Sequence, residues 1–210
     1  VTEPVRGDAL VDAVIAALEA NSGGLLPGMP AHQAEGLAPD AIAALSLPNG
    51  KPLPASLAKF LAYDAGYLDV LDEAGQLEFK TFRAMMTAEF DAETAEVADF
   101  SELLPGSCLV LPGGSDSRRF MYVGEPDVFG EYPVFVVDID DVPYVCLAYP
   151  GLDVYLADGV TEDLTPDTYT DVFDHEGYAP MIEDQARRNF GGYVSFDPSG
   201  DAETEHLDDD

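Results

Sequence analysis

Apolar positions recur at helical spacing from the first residues onward. Leu10, Val14, Ala17 and Leu18 fall on one face of Asp8–Ala20, while Asp12 and Glu19 point elsewhere, which predicts an amphipathic helix. Asn21-Ser22-Gly23-Gly24 ends it, and a Pro/Gly-rich loop continues to about Leu37. A short helix is expected over Asp40–Leu47 after Pro39. Another opens at Pro54, with Leu57, Phe60 and Leu61 as its stripe and Gly66 near its end. Leu68–Phe82 alternates in short segments around Glu73-Ala74-Gly75, as a hairpin would, and Ala92–Leu104 reads as helical.

The pattern then shifts to period two. Cys108–Leu111, Phe120–Gly124, Pro133–Asp138 and Tyr144–Tyr149 are rich in Val, Tyr, Phe and Leu. Gly113-Gly114-Ser115-Asp116-Ser117, Glu125–Glu131 and Asp140-Asp141 separate them. These spacers are too short for parallel crossovers, so an antiparallel meander is required. Val134, Val136 and the Ile139 region face one way and Phe135 and Val137 the other, which places this strand centrally with both faces covered. The predicted class is α+β: one domain with a central antiparallel sheet of about four to six strands and helices packed on it. Residues 51–160 form the expected core, 1–50 an N-terminal helical extension and 161–197 a C-terminal helical decoration. Residues 198–210, without apolar periodicity, are expected to be a disordered acidic tail.

Charge changes the picture most. The 210 residues carry 41 Asp and Glu against 9 Lys and Arg, a formal net charge of -32. Self-repulsion on that scale works against folding, so the charge serves something outside the fold: a strongly basic partner or a very salty solvent. Nucleic acid and membrane surfaces are excluded as partners, because binding them needs Lys and Arg. With 47% hydrophobic residues, including 11 Phe and 10 Tyr, the chain can nevertheless build a core. No apolar run is long enough to span a membrane, and Val1–Gly7 lacks the basic start and apolar stretch of a secretory signal. Cys108 and Cys146 each sit in an apolar segment and are expected to be buried free thiols, so a cytoplasmic location is expected.

The order of elements resembles the SUKH superfamily, the SMI1/KNR4-like proteins. Leu53-Pro54-Ala55-Ser56-Leu57-Ala58-Lys59-Phe60-Leu61 is similar to the helix start of that family. Leu111-Pro112-Gly113-Gly114-Ser115-Asp116 resembles its strand followed by a Gly/Asp turn, and Tyr132-Pro133-Val134-Phe135-Val136-Val137-Asp138 its central strand. Gly151-Leu152-Asp153-Val154-Tyr155-Leu156 stands where the family places a helix with a Ser-Phe start. The likeness spans about Leu53–Val160. It departs at Asp64-Ala65-Gly66-Tyr67, where Asn-Gly-Gly is usual, and at Pro150-Gly151-Leu152, where Ser-Phe is usual. The resemblance implies a non-enzymatic, intracellular immunity protein that binds and neutralises a bacterial toxin, often a nuclease.

The strongest chemical motif is Asp138-Ile139-Asp140 after an apolar strand, as a Mg²⁺-dependent phosphatase would place its nucleophile and acid. Val142-Pro143 follows instead of the phosphate-holding Thr, and no Lys is near, so an acidic hairpin turn is the better reading. His32, His175 and His206 are isolated, and Asp174-His175-Glu176 has no second His at metal spacing. Arg118-Arg119 and Arg187-Arg188 read as internal counter-charges. No catalytic residue, metal or cofactor is assigned.

The expectation is therefore a protein that meets a cognate basic toxin through aromatic side chains ringed by acids. Two groups are candidates for contact: Asp127, Phe129, Glu131 and Tyr132 in the loop before the central strand, and Tyr149, Asp153, Tyr155 and Asp158 late in the SUKH-like region. The alternative is an acidic protein of a halophile with a general binding or regulatory role, for which only three Lys would be typical.

Overall fold

The four predicted strands lie next to one another in sequence order, with every neighbouring pair antiparallel. They belong to a seven-stranded open meander, β1 to β7, rather than a sheet of four to six strands. The structure, a computed structural model, describes residues 5–20, 34–90, 101–112, 117–138, 144–158, 177–197 and 204–207. The strands are β1 Phe79–Thr81, β2 Ser107–Leu111, β3 Ser117–Val123, β4 Val134–Asp138, β5 Tyr144–Tyr149, β6 Tyr193–Phe196 and β7 Glu205–His206. The described helices are α1 Asp8–Ala20, α2 Pro39–Ala43, α3 Ala55–Tyr63, α4 Ala65–Leu68, α5 Phe82–Phe90, α6 Leu152–Ala157 and α7 Ala179–Asn189.

Alternation along the strands sends side chains into two cores. Leu109, Leu111, Met121, Val123, Val134 and Val136 face a cluster with Leu10, Val11 and Val14 of α1, Leu57, Phe60 and Leu61 of α3, and Val154 and Leu156 of α6. Cys108, Phe120, Tyr122, Phe135, Val137, Val145 and Leu147 face a second cluster with Phe82, Met85 and Met86 of α5 and Ile182 and Ala186 of α7. The predicted split of Val134 and Val136 from Phe135 and Val137 is therefore observed; Ile139 lies outside the described residues. Each such fully buried apolar side chain contributes about 1.5–3 kcal/mol. Both cores share one sheet, so this is a single α+β domain.

Three expectations change. The N-terminal segment is not an appendage, because α1 lies against α3 and α6 and supplies three fully buried residues. The segment 161–197 contributes β6 as well as α7, so it extends the sheet. Of the expected acidic tail, residues 204–207 are ordered: β7 pairs with β6, and the His206 ring meets Tyr193 edge-on at 4.5 Å. Leu207 packs against the second core and its N–H donates to the Gly192 carbonyl at 2.9 Å. The remaining tail residues, and most of the helix expected over Ala92–Leu104, lie outside the described residues.

Truncating the chain after Asp197 should therefore cost roughly 1–2 kcal/mol, the net worth of one or two hydrogen bonds with modest apolar burial. Urea denaturation measures this, and an unchanged midpoint would show that β7 adds nothing.

Cys108 and Cys146 are free and separated by two intervening strands, with their side chains in opposite cores. Burial raises the thiol pKa of Cys108 far above its ordinary value, which suits an inert core residue.

One irregularity in the sheet redirects a tyrosine. Val134 pairs with Tyr149 and Phe135 with Leu147, leaving Ala148 as an extra residue in β5. Such a bulge re-aims the side chain beyond it. Tyr149 joins the α1/α3/α6 core instead of accompanying Leu147 into the other.

Candidate functional site

The first group of candidate residues surrounds an arginine that no motif in the sequence marks. Arg6 stands just before α1, and its guanidinium is almost wholly buried. Its Nε donates to Asp153 Oδ2 at 2.7 Å, and Nη2 donates to Asp153 Oδ1 at 3.2 Å and to Asp127 Oδ2 at 2.8 Å. The Gly7 N–H adds a third donor to Asp153, at 2.6 Å. Burial alone would lower the pKa of Arg6, but the two carboxylates outweigh it and the net shift is upward.

Beside this pair lies Glu131, also fully buried. Ser56, in the first turn of α3, donates its hydroxyl to Oε2 at 2.5 Å and its N–H to Oε1 at 3.4 Å. Burial, reinforced by repulsion from Asp153, raises the Glu131 pKa to about 8. Gly151 lets these chains come together, because a Cβ there would collide with Asp153, Arg6 and Glu131.

Helix α7 closes the cluster. Gln185 Nε2 donates to the carbonyls of Glu131 at 3.2 Å and Pro150 at 2.8 Å. Asn189 Nδ2 donates to the Glu125 carbonyl at 2.9 Å, and Asn189 Oδ1 accepts from the Glu125 N–H at 2.7 Å.

The segment from Asp127 to Glu131 is a turn held from within. Asp127 Oδ1 accepts from the N–H groups of Phe129 at 2.8 Å and Glu131 at 2.9 Å, and Gly130 takes the left-handed φ of 81° that closes it. The Asp127 N–H donates to the Glu131 carbonyl at 2.9 Å. The Arg6 guanidinium carbon lies 5.0 Å from the centre of the Phe129 ring.

Burial thus divides this first group. Glu131, Tyr132 and Asp127 are internal or nearly so, while Phe129 is 43% exposed and neighbouring Val128 is 81% exposed. Asp153, expected with the second group, belongs here and is fully buried. Its carboxylate is committed to Arg6, so it does not serve as an exposed interface acid.

The rest of the second group does assemble. Tyr149, Tyr155 and Asp158 line a pocket of about 200 Å³ with Tyr67, Pro112, Arg119 and Leu156. The Tyr149 hydroxyl donates to Asp158 Oδ2 at 2.7 Å and the Tyr155 hydroxyl to the Pro112 carbonyl at 2.5 Å. The two rings meet edge-on at 5.5 Å. Burial raises both phenol pKa values well above the ordinary range, with the hydrogen bond to Asp158 adding to the rise at Tyr149 and Arg119 opposing it. Both hydroxyls therefore act as neutral donors. The ring of Tyr149 is fully buried and Leu156 nearly so, so the accessible members of this pocket are Tyr67, Pro112, Arg119, Tyr155 and Asp158. The bulge at Ala148 brings Tyr149 to it.

Asp138 ends β4 opposite Tyr144, and Asp140 lies outside the described residues. Arg187 and Arg188 form i,i+4 ion pairs with Glu183 at 3.4 Å and Asp184 at 2.7 Å, as internal counter-charges should. No group of His, Cys, Asp and Glu among the described residues is arranged to hold a metal, and no described helix is long and apolar enough to cross a membrane.

No family model and no curated protein matches the sequence. The structure is similar to the crystal structure of an uncharacterized protein from Salmonella enterica subsp. enterica serovar typhimurium str. 14028s. The TM-score is 0.55, with 85% of this chain and 89% of that chain covered at 16% identity. At that identity the likeness concerns the fold alone.

Proposed function

We propose that this chain is a non-enzymatic, cytoplasmic binding protein that neutralises a basic protein partner, most simply a toxin domain encoded beside it. The observation that carries the reading is how its few cations are used. Of the nine Lys and Arg, Arg6, Lys51, Lys59, Lys80, Arg187 and Arg188 are held in ion pairs with the chain's own acids. Nine cations, most of them already paired, leave the great majority of the 41 Asp and Glu with no cation of the chain's own to offset them. Such a field favours encounter with a cation-rich protein and opposes approach to nucleic acid or anionic lipid. The resemblance to SUKH immunity proteins supports the same reading.

The test is association kinetics between the purified chain and the purified product of the adjacent gene. The on-rate is expected to fall about tenfold or more from low salt to physiological ionic strength, where screening acts within about 8 Å, with the off-rate much less affected. Absence of binding to a basic neighbour defeats the proposal. A chain that folds only in molar salt, consistent with its three Lys, would favour a solvent adaptation instead.

A further inference from the structure

We infer that the Asp127–Glu131 turn is the anchor by which this chain docks, its Val128 and Phe129 entering an apolar socket on the basic partner. The inference rests on the binding function proposed above and adds the place of contact. Among the described residues four large hydrophobic side chains are markedly exposed: Val5, Tyr67, Val128 and Phe129. Single exposed apolar residues are ordinary, but Val128 and Phe129 are consecutive in one turn that Arg6 holds through Asp127. The Phe129 ring lies against the Arg6 guanidinium, and Val5 precedes that arginine in the chain.

The turn is also prepared for binding. Its backbone is fixed by Asp127, its base by Arg6, and its flanks by Gln185 and Asn189 of α7. A side chain already held in its bound position loses little conformational freedom on association.

The charges around the turn are compensated locally, unlike those of the chain as a whole. Arg6 pairs with Asp127 and Lys51 pairs with Glu125 at 3.0 Å. Arg188 pairs with Asp184 and feels Asp127 and Glu125 as well. Three of nine cations thus serve one short stretch. Desolvating a compensated, apolar patch costs far less than desolvating bare carboxylates, so the centre of an interface belongs here. The uncompensated acids elsewhere steer the partner in, which is why the occupant is a basic protein and not a neutral one.

The experiment uses the full-length chain and the purified product of the adjacent gene as the probe. Val128→Asp alters a side chain that touches little of its own fold, and Phe129→Ala removes the ring. Each is expected to accelerate dissociation roughly tenfold or more, since a buried anchor is worth at least the ~1.4 kcal/mol that a factor of ten represents, with on-rate nearly unchanged. Melting of Val128→Asp should match the wild type, which separates lost contact from lost fold. Salt-dependent binding that both variants retain at wild-type strength overturns the turn as anchor and leaves the binding function standing. No binding by the wild-type chain overturns both. Sedimentation of the chain alone supplies the remaining outcome: a dimer that Val128→Asp dissolves would make a second copy the occupant and also overturn the inference.

Discussion

Arg6→Ala should lower the unfolding free energy by about 3–5 kcal/mol, one of the two largest effects expected of a single substitution here. The guanidinium faces two carboxylates at 2.7 and 2.8 Å in a place that water does not reach. Removing it leaves Asp127 and Asp153 buried beside Glu131 without their cation. The loss should be measurable as a shift in the midpoint of urea denaturation, with far-ultraviolet dichroism confirming that the variant still folds. Adding Asp153→Asn to the alanine variant should restore part of the loss, because the amide does not carry the stranded charge. A loss below about 1 kcal/mol would place the cluster among solvated surface pairs and contradict its burial.

Glu131→Gln should change how stability depends on pH. In the unfolded chain this carboxyl titrates near its ordinary 4.5, and in the fold, chiefly because it is buried, at about 8. Between those values the folded protein holds a proton that the unfolded chain has released. The group therefore withdraws stability as pH rises from 4.5 through 8, and its effect is constant below and above that window. The glutamine variant lacks this dependence, so its stability relative to wild type should rise by up to about 1.4 kcal/mol per pH unit across the window. Near pH 8 and above the variant should be the more stable protein. Glutamine also keeps an oxygen to accept the Ser56 N–H and gains a donor for the Ser56 hydroxyl. Because the other acids titrate in both proteins, the difference between the two stability curves is the quantity to measure. Curves that run parallel from pH 4.5 to 8 would show that Glu131 is ionised throughout.

The parts of the fold that can be read from sequence are those whose cause is local. Strands β2 to β5 announce themselves by runs such as Val134–Val137 and by spacers too short for anything but antiparallel return. Strand β7 carries no such signal, because Glu205 and His206 are polar and pair only where β6 offers an edge. Helix α1 is legible as a helix but not as part of the core. Its apolar face is the same whether it meets α6 or a partner. The candidate site shows the same limit. The chemistry of Asp127, Phe129, Glu131, Tyr132 and Asp153 marks them in the sequence, and they do gather in one place. That Asp127 and Asp153 turn inward depends on Arg6, a cation 147 residues from Asp153, and that Glu131 does depends on Ser56. Tyr149, Tyr155 and Asp158 also gather, yet the direction of Tyr149 is set by a register shift at Ala148 that no alternation pattern contains.

That long span also bears on the order in which the chain acquires its structure. From β1 to β7 each strand pairs with the one before it, so the sheet can zip strand by strand as the ribosome releases it. The Arg6–Asp153 contact closes a loop of about 150 residues, whose entropic cost must be met by contacts already made. Helix α1 can meet α3 early, but its dock on α6 through Arg6 is among the last contacts made. In kinetic terms, damage at Arg6 belongs on the unfolding limb: the variant should fold at nearly the wild-type rate and come apart faster. During synthesis the apolar face of α1 can rest on α3 early, and it is fully covered only once Leu152–Ala157 has been added.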